Sequence, residues 1–158
     1  MNYREITPAD DASIASIIRT NLKAHHLDIP GTAYFDPHLD HLSTYYLADP
    51  AKRYYLIAEE EGAVAGGVGL AELSFFEDCA ELQKLYLTDA AKGGGHGYEL
   101  MARIEDSARA LGYKRMYLET TSCLEAAIHL YEKCGYREIE KPAAVVHSAM
   151  DRFYLKEL

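Results

Sequence analysis

The stretch that most constrains this chain is "TDAAKGGGHGYELMARI", Thr88 to Ile104, in which three consecutive glycines and then a fourth stand directly before a segment of helical spacing. A strand that runs through glycines into a helix N-terminus aims several unpaired backbone N–H groups at one point, and the helix adds about half a positive charge there. Such a turn is an anion site. Each missing side chain lets a phosphate approach the amides, and some of the backbone conformations involved require positive φ. The competing reading is a flexible loop whose glycines merely cap or turn. Spacing sets aside two familiar phosphate binders. A P-loop needs Gly-x-x-x-x-Gly-Lys followed by Ser or Thr, whereas Tyr98 and Glu99 follow Gly97. A dinucleotide fingerprint needs Gly-x-Gly-x-x-Gly or Ala, but counting from Gly93 ends on Tyr98 and counting from Gly95 ends on Leu100.

The residues around the loop order the rest of the chain. "NYREI" (2–6) reads as a strand and "TPADDASIASIIRTNL" as a helix with Asp10 or Asp11 as N-cap and Ile14, Ile17, Ile18 and Leu22 on one face. From His25 to Asp49 the pattern loosens: "DIPGTAYFDP" carries two prolines and a glycine, and "HLDHLSTYYLAD" suits one short helix. Long irregular segments often line binding sites, so this one is the candidate substrate loop. "RYYLIAEE" and "AVAGGVGLAEL" form a hairpin across "EG", and "AELQKLYL" (80–87) adds a third, antiparallel strand. After the glycines come a helix from about Tyr98 to Leu111 stopped by Gly112, the strand "RMYLE" (115–119), the helix "LEAAIHLYEKC" stopped by Gly135, and the strands "YREIE" and "AMDRFYLKEL". The order implies an α/β chain with a mixed sheet covered by helices.

At 158 residues the sequence is sized for a single domain, 1–158, that buries roughly two thirds of its unfolded surface. A formal charge of −9 disfavours nucleic acid and anionic membrane and attracts a cationic partner. Cys79, Cys123 and Cys134 match no zinc or redox spacing and read as free thiols in a reducing compartment, most simply small core residues. The start "MNYREITPADD" has neither a basic region nor an apolar run, and no segment approaches a membrane span; a cytoplasmic location is the expectation. "HLDH" (38–41) offers part of an iron-type ligand set, but residues two apart on a helix point different ways, so no metal is expected. His25 and His26 either shape a substrate pocket or are simply solvated.

The spacing that does fit the glycines is "KGGGHG", Lys92 to Gly97, which resembles the Arg/Gln-x-x-Gly-x-Gly/Ala motif of the GCN5-related N-acetyltransferase (GNAT) superfamily. "AELQKLYL" is similar to that family's fourth strand, and "AAIHLYEKCGYREIE" to its last helix and following strand, so the resemblance covers residues 80 to 140 in order. "PGTAYFDP" looks like a segment of one bacterial subgroup. Two positions depart from the pattern. Lys92 keeps the charge of the usual arginine without its planar fork, and Leu124 stands where many members carry a cofactor-contacting asparagine. The resemblance implies a largely antiparallel twisted sheet of six to seven strands flanked by about four helices, with a splay between the fourth and fifth strands.

It also implies an activity: transfer of an acetyl group from acetyl-coenzyme A to a primary amine of a small molecule or amino-acid-like acceptor, by direct attack in a ternary complex. Carried over by position, the main chain of Leu85, Tyr86 and Leu87 would pair with the pantetheine arm. Lys92, Gly93, Gly94, Gly95, His96, Gly97 and Tyr98 would hold the pyrophosphate, His96 through its amide, with Leu124 and Ala127 beside the cofactor. The Leu85 amide would polarise the thioester carbonyl. Glu81 matches a carboxylate base, or is an exposed strand glutamate; Tyr131 matches the general acid, or is a core aromatic beside Ala127 and Leu124. Tyr34, Phe35 and Asp36, with Tyr45 and Tyr46 near them, are the substrate-side candidates. The competing roles are a non-catalytic acyl-coenzyme A sensor, a regulatory protein–protein module, and acetylation of a protein N-terminus or lysine. The family often forms homodimers, although nothing in the sequence requires one.

Overall fold

The central strands are read most easily from their unbroken burial. In β2 (Tyr54–Glu60) the run from Tyr55 to Ala58 is buried throughout, which requires cover on both faces of the sheet. Leu56 and Ala58 pack with Leu100, Met101 and Ile104 on one face, whereas Tyr55 and Ile57 pack with Ile14, Ile18 and Tyr46 on the other. Period two thus divides one strand between two cores.

The computed structural model describes residues 1–146 and 148–158. Before β2 the chain forms β1 (Asn2–Glu5), α1 (Asp11–Ala24) and α2 (Leu42–Leu47). After it come β3 (Ala63–Glu72), β4 (Cys79–Leu87), α3 (His96–Ala110), β5 (Arg115–Thr120), α4 (Glu125–Lys133), β6 (Arg137–Ile139) and β7 (Arg152–Glu157). The seven strands lie in one sheet in the order β1-β2-β3-β4-β5-β7-β6. Every neighbouring pair is antiparallel except β4 with β5. The expected mixed, largely antiparallel sheet with four α-helices is the observed one; the seating of β7 between β5 and β6 is a non-local feature that no local pattern announces.

Several boundaries differ from the sequence reading. Asp10 is the N-cap of α1 as expected, but by position alone: its side chain makes no cap bond to that helix and is held by Arg4 and Thr7 at the preceding 3-10 turn (Pro8–Asp10). The "HLDHLSTYYLAD" segment divides into a 3-10 turn, Leu39–His41, and α2. α3 starts at His96 rather than Tyr98, because Gly95 in the left-handed region (φ 82°) serves as its N-cap. Cys79 is buried and Cys134 half-buried, but Cys123 is exposed and is not a core residue. Tyr46 is also core: its ring is buried over β3, where a Cβ on Gly69 would come within 2.5 Å of its hydroxyl.

Candidate active site

The site begins where sheet pairing ends. β4 and β5 pair only at Cys79–Arg115, Ala80–Met116 and Glu81–Tyr117, then separate, which leaves the rest of β4 without a partner on that side. On its other edge β4 carries a bulge: between the pairs Gly67–Tyr86 and Gly69–Gln83, Val68 alone faces both Lys84 and Leu85. Lys84 takes the left-handed conformation there (φ 51°), and the Tyr55 hydroxyl donates to its carbonyl oxygen at 3.0 Å. The expected splay is present, and the bulge beside it re-aims the backbone of 84–86.

Two cavities open from this wedge. A groove of about 530 Å³ runs along Leu85, Tyr86 and Leu87 to the glycine loop, walled by Asn21 of α1 and the His25 that follows it, and by the start of α4 from its N-cap Leu124 to Ala127. Its far end is lined by Lys92, Gly93, Gly95, Gly97 and Tyr98. A second cavity of about 480 Å³ lies behind Glu81 to Tyr86, bounded by Gly31 to Ala33, Phe35, Asp36, Glu119, Tyr131 and Met150. Leu22, Leu85, Tyr86, Leu124 and Ala127 line both, so the two spaces meet at the bulge.

The loop end of the groove has the chemistry of an anion site. Gly93 and Gly95 both have φ near +80°, at 80° and 82°, and the first intrahelical bond of α3 is Glu99 N–H to Gly95 carbonyl, so the amides before it have no helical acceptor. Gly97 has a further reason to be glycine: a Cβ there would lie 3.3 Å from Leu130 Cδ2, so α3 and α4 approach closely at this point. Lys92 lines the groove while its ammonium pairs with exposed Asp89 at 2.6 Å. Gly94 and His96 turn away into a separate hollow with Met1 to Tyr3, and the His96 ring is 3.2 Å from the Tyr3 hydroxyl. Leu87 is also less available than expected, since its carbonyl oxygen accepts from Asn21 Nδ2 at 3.0 Å.

In the second cavity Glu81 and Tyr131 are brought together. The Gln83 amide donates to Glu81 Oε2 at 2.8 Å, and the Tyr46 hydroxyl donates to Gln83 Oε1 at 2.8 Å, so a buried phenol orients the carboxylate through one side chain. Burial pushes the Glu81 carboxyl above its usual value and the nearby Glu119 pushes it the same way, with the Gln83 bond opposing both. Burial likewise raises the Tyr131 phenol, helped by Tyr86. Phe35 and Asp36 reach the cavity, but Tyr34 does not: it packs into the core with α1, while Phe35, 59% exposed, forms the outer wall. Burial acts against ionisation of Asp36, yet the Lys84 ammonium 2.7 Å away holds its carboxyl below the usual range.

Sequence reasoning missed Gln83, Lys84 and Glu119. Gln83 follows Glu81 by two on a strand and so shares its face, a signal that was available. Glu119 reaches the cavity only because β5 runs parallel to β4, which is tertiary information. Among the described residues no group of three or more His, Cys, Asp or Glu side chains is placed to hold a metal ion, and no helix is long and apolar enough to cross a membrane.

Comparison with known proteins agrees with this geometry. The Acetyltransferase (GNAT) family model matches residues 22–136. The chain is 40% identical over 139 residues to the uncharacterized N-acetyltransferase YjgM of Escherichia coli strain K12, covering 87% of this chain and 82% of that one. Among solved structures, a GNAT-family acetyltransferase from Staphylococcus aureus Mu50 superposes with a TM-score of 0.85 at 19% identity, covering 99% of this chain and 98% of the other. The yncA protein of Salmonella typhimurium, solved with its cofactor acetyl-CoA, gives a TM-score of 0.77 at 24% identity over 99% of this chain and 93% of its own. Those two likenesses concern the fold. On the family match and the YjgM relationship, the chain belongs to the GNAT family of acetyltransferases and is an N-acetyltransferase of its acetyl-coenzyme A-dependent kind.

Proposed function

We propose that the protein transfers an acetyl group from acetyl-coenzyme A to a primary amine of a small molecule, by direct attack within a ternary complex. The observation that carries this reading is the meeting of the two cavities at Leu85 and Tyr86: a groove ending in helix-terminal amides on one side, and a carboxylate-bearing pocket on the other. A cofactor with a phosphate at one end and a thioester at the other fits the groove, because unpaired amides stand at the loop end and unpaired strand edge at the wedge end.

Acetyl-coenzyme A supplies the activated acyl carbon. The chain's own residues do the rest. Gly93, Gly95, Gly97 and Tyr98 hold the pyrophosphate end, Leu85 and Tyr86 align the arm, and the Leu85 amide faces the carbonyl oxygen as charge develops on it. Glu81, directly or through water, takes the proton that the acceptor ammonium must lose before its nitrogen can attack. The new N–C bond forms as the C–S bond breaks, the nitrogen gives up its second proton to solvent, and Tyr131 donates to the departing sulfur.

The test is release of free thiol from acetyl-coenzyme A over a panel of small primary amines, where turnover supports the reading and its complete absence refutes it. The pH profile of Glu81→Gln checks the base. The parent kcat/KM is expected to rise as pH increases through the Glu81 ionisation, with the variant at least about tenfold slower and that rise removed. An unchanged alkaline rise takes the role away from Glu81.

A further inference from the structure

The charge pattern of the acceptor cavity is more particular than acetyl transfer requires. Among the described residues that line it, the charged ones are Asp36, Glu81, Lys84 and Glu119. The cation of this set is already engaged, with Lys84 Nζ 2.7 Å from Asp36 Oδ2 and the two side chains 12% and 22% exposed. That leaves Glu81 and Glu119, and among the described residues neither has its acceptor capacity filled. Glu81 accepts once, from Gln83; Glu119 accepts from the Tyr117 hydroxyl on Oε1 and from the Ser148 hydroxyl on Oε2, each at 3.0 Å. A carboxylate offers about four acceptor sites, so both retain free lone pairs in a half-buried setting where an unmatched charge is costly. Tyr117 stands opposite Glu81 in the parallel pairing, and Glu119 follows two residues on, about 7 Å farther along β5 on the same face. The two carboxylates are therefore rooted at different points along the cavity wall, two residues apart along the strand direction. Much of the remaining wall, including Leu22, Leu27, Leu82 and Met150, is apolar and suits a methylene chain.

An ammonium, with three donors and one positive charge, satisfies either carboxylate. An α-carboxylate finds no free cation here among the described residues and meets two like charges. Resting on the acceptor-site reading above, we infer that the protein selects a small diamine, its reacting amine handled at Glu81 and its second ammonium held by Glu119, and disfavours acceptors that carry a free α-carboxylate.

The experiment compares 1,4-diaminobutane, 1,5-diaminopentane, n-butylamine and lysine in two ways: steady-state kcat/KM with acetyl-coenzyme A, and calorimetric binding to the coenzyme A-loaded protein. The diamines are expected to exceed n-butylamine at least about tenfold in kcat/KM and in affinity, with lysine below the diamines. In Glu119→Gln, which keeps the shape and one of the two accepted hydrogen bonds while its amide nitrogen donates to the other hydroxyl, that ratio falls to within about twofold of one, chiefly through KM. Glu119→Asp keeps the charge and retains most of the preference. A merely structural Glu119 slows all amines together and leaves the ratio intact, which overturns the inference, as does a ratio near one in the parent. The two readings fail separately. Diamine binding that depends on Glu119 without any turnover refutes acetyl transfer and keeps the diamine site, whereas turnover without diamine preference does the reverse.

Discussion

The hydroxyl of Tyr131 belongs to a side chain only 7% exposed, on the α4 wall of the acceptor cavity. Burial pushes its pKa well above the usual phenol value, and a thiol ionises near 8.5, so the leaving thiolate is a much weaker base than the Tyr131 phenolate. Complete proton transfer from this phenol is uphill by about 1.4 kcal/mol for each unit of that gap. In the proposed reaction Tyr131 therefore acts mainly as a hydrogen-bond donor to the developing sulfur charge, with solvent completing the protonation. Tyr131→Phe is expected to lower kcat by about a hundredfold. Its thermal midpoint should move little, since the ring still packs against Tyr136 at 6.1 Å. A kcat within about twofold of the parent removes the role. Side-chain direction was the least legible property at this scale. In "TAYF" the sequence offers two adjacent aromatics, and only the rotation of the 3-10 turn Ala33–Phe35 decides that Tyr34 enters the core while Phe35 faces the cavity.

Among the elements, the glycine loop and the hairpin were legible because their instructions are local. Glu61 and Gly62 both have positive φ, as a two-residue turn between antiparallel strands requires, and Gly112 and Gly135 end α3 and α4 in the left-handed region. The bulge at Lys84 and the divergence of β4 from β5 were not readable from the residues themselves: a lysine carries no signal for positive φ, and parallel pairing joins segments more than thirty residues apart. The splay was anticipated only through family resemblance. Gly95 and Gly62 allow the loop's contribution to be separated from plain stability. Both have φ near +80°, at 82° and 81°, and a Cβ on either meets nothing within 4 Å, so alanine at each costs about 1 kcal/mol through backbone strain alone. Gly95→Ala should in addition raise the KM for acetyl-coenzyme A several-fold, because it disturbs the first amides of α3, whereas Gly62→Ala should not. Equal KM values in the two variants would place the pyrophosphate elsewhere.

At the scale of the molecule, the helical faces that cover the sheet depend on how the N-terminal segment is tied to it. Arg4 on β1 grips Asp10 with two hydrogen bonds of 2.7 and 2.8 Å and Glu59 on β2 with a third of 2.7 Å, while the Thr7 amide and hydroxyl both donate to Asp10. This cluster fixes the entry of α1 against the sheet edge, and α1 in turn forms one wall of the groove. The Arg4 hydrogen bonds, against an opposing effect of burial, hold the Asp10 carboxyl down at about 2, below its ordinary 3.8. A group whose folded pKa is depressed stabilises the fold above its unfolded pKa and loses that contribution as pH falls through its folded value. The relevant window is therefore about pH 4 down to pH 2. After allowance for a partly open Arg4, the contribution at neutral pH is on the order of 1–2 kcal/mol. The formal charge of −9 works in the opposite sense, since mild acidification first relieves anionic repulsion. Stability is thus expected to hold or rise slightly from pH 7 toward 5 and then to drop steeply below 4. In Asp10→Asn the parent's advantage, measured by urea unfolding, should be about 1–2 kcal/mol at pH 7, shrink progressively below about pH 4 and vanish only below about pH 2. An advantage that stays constant across that range would mean that Asp10 holds α1 in place by shape and hydrogen bonding alone, with no part for its charge.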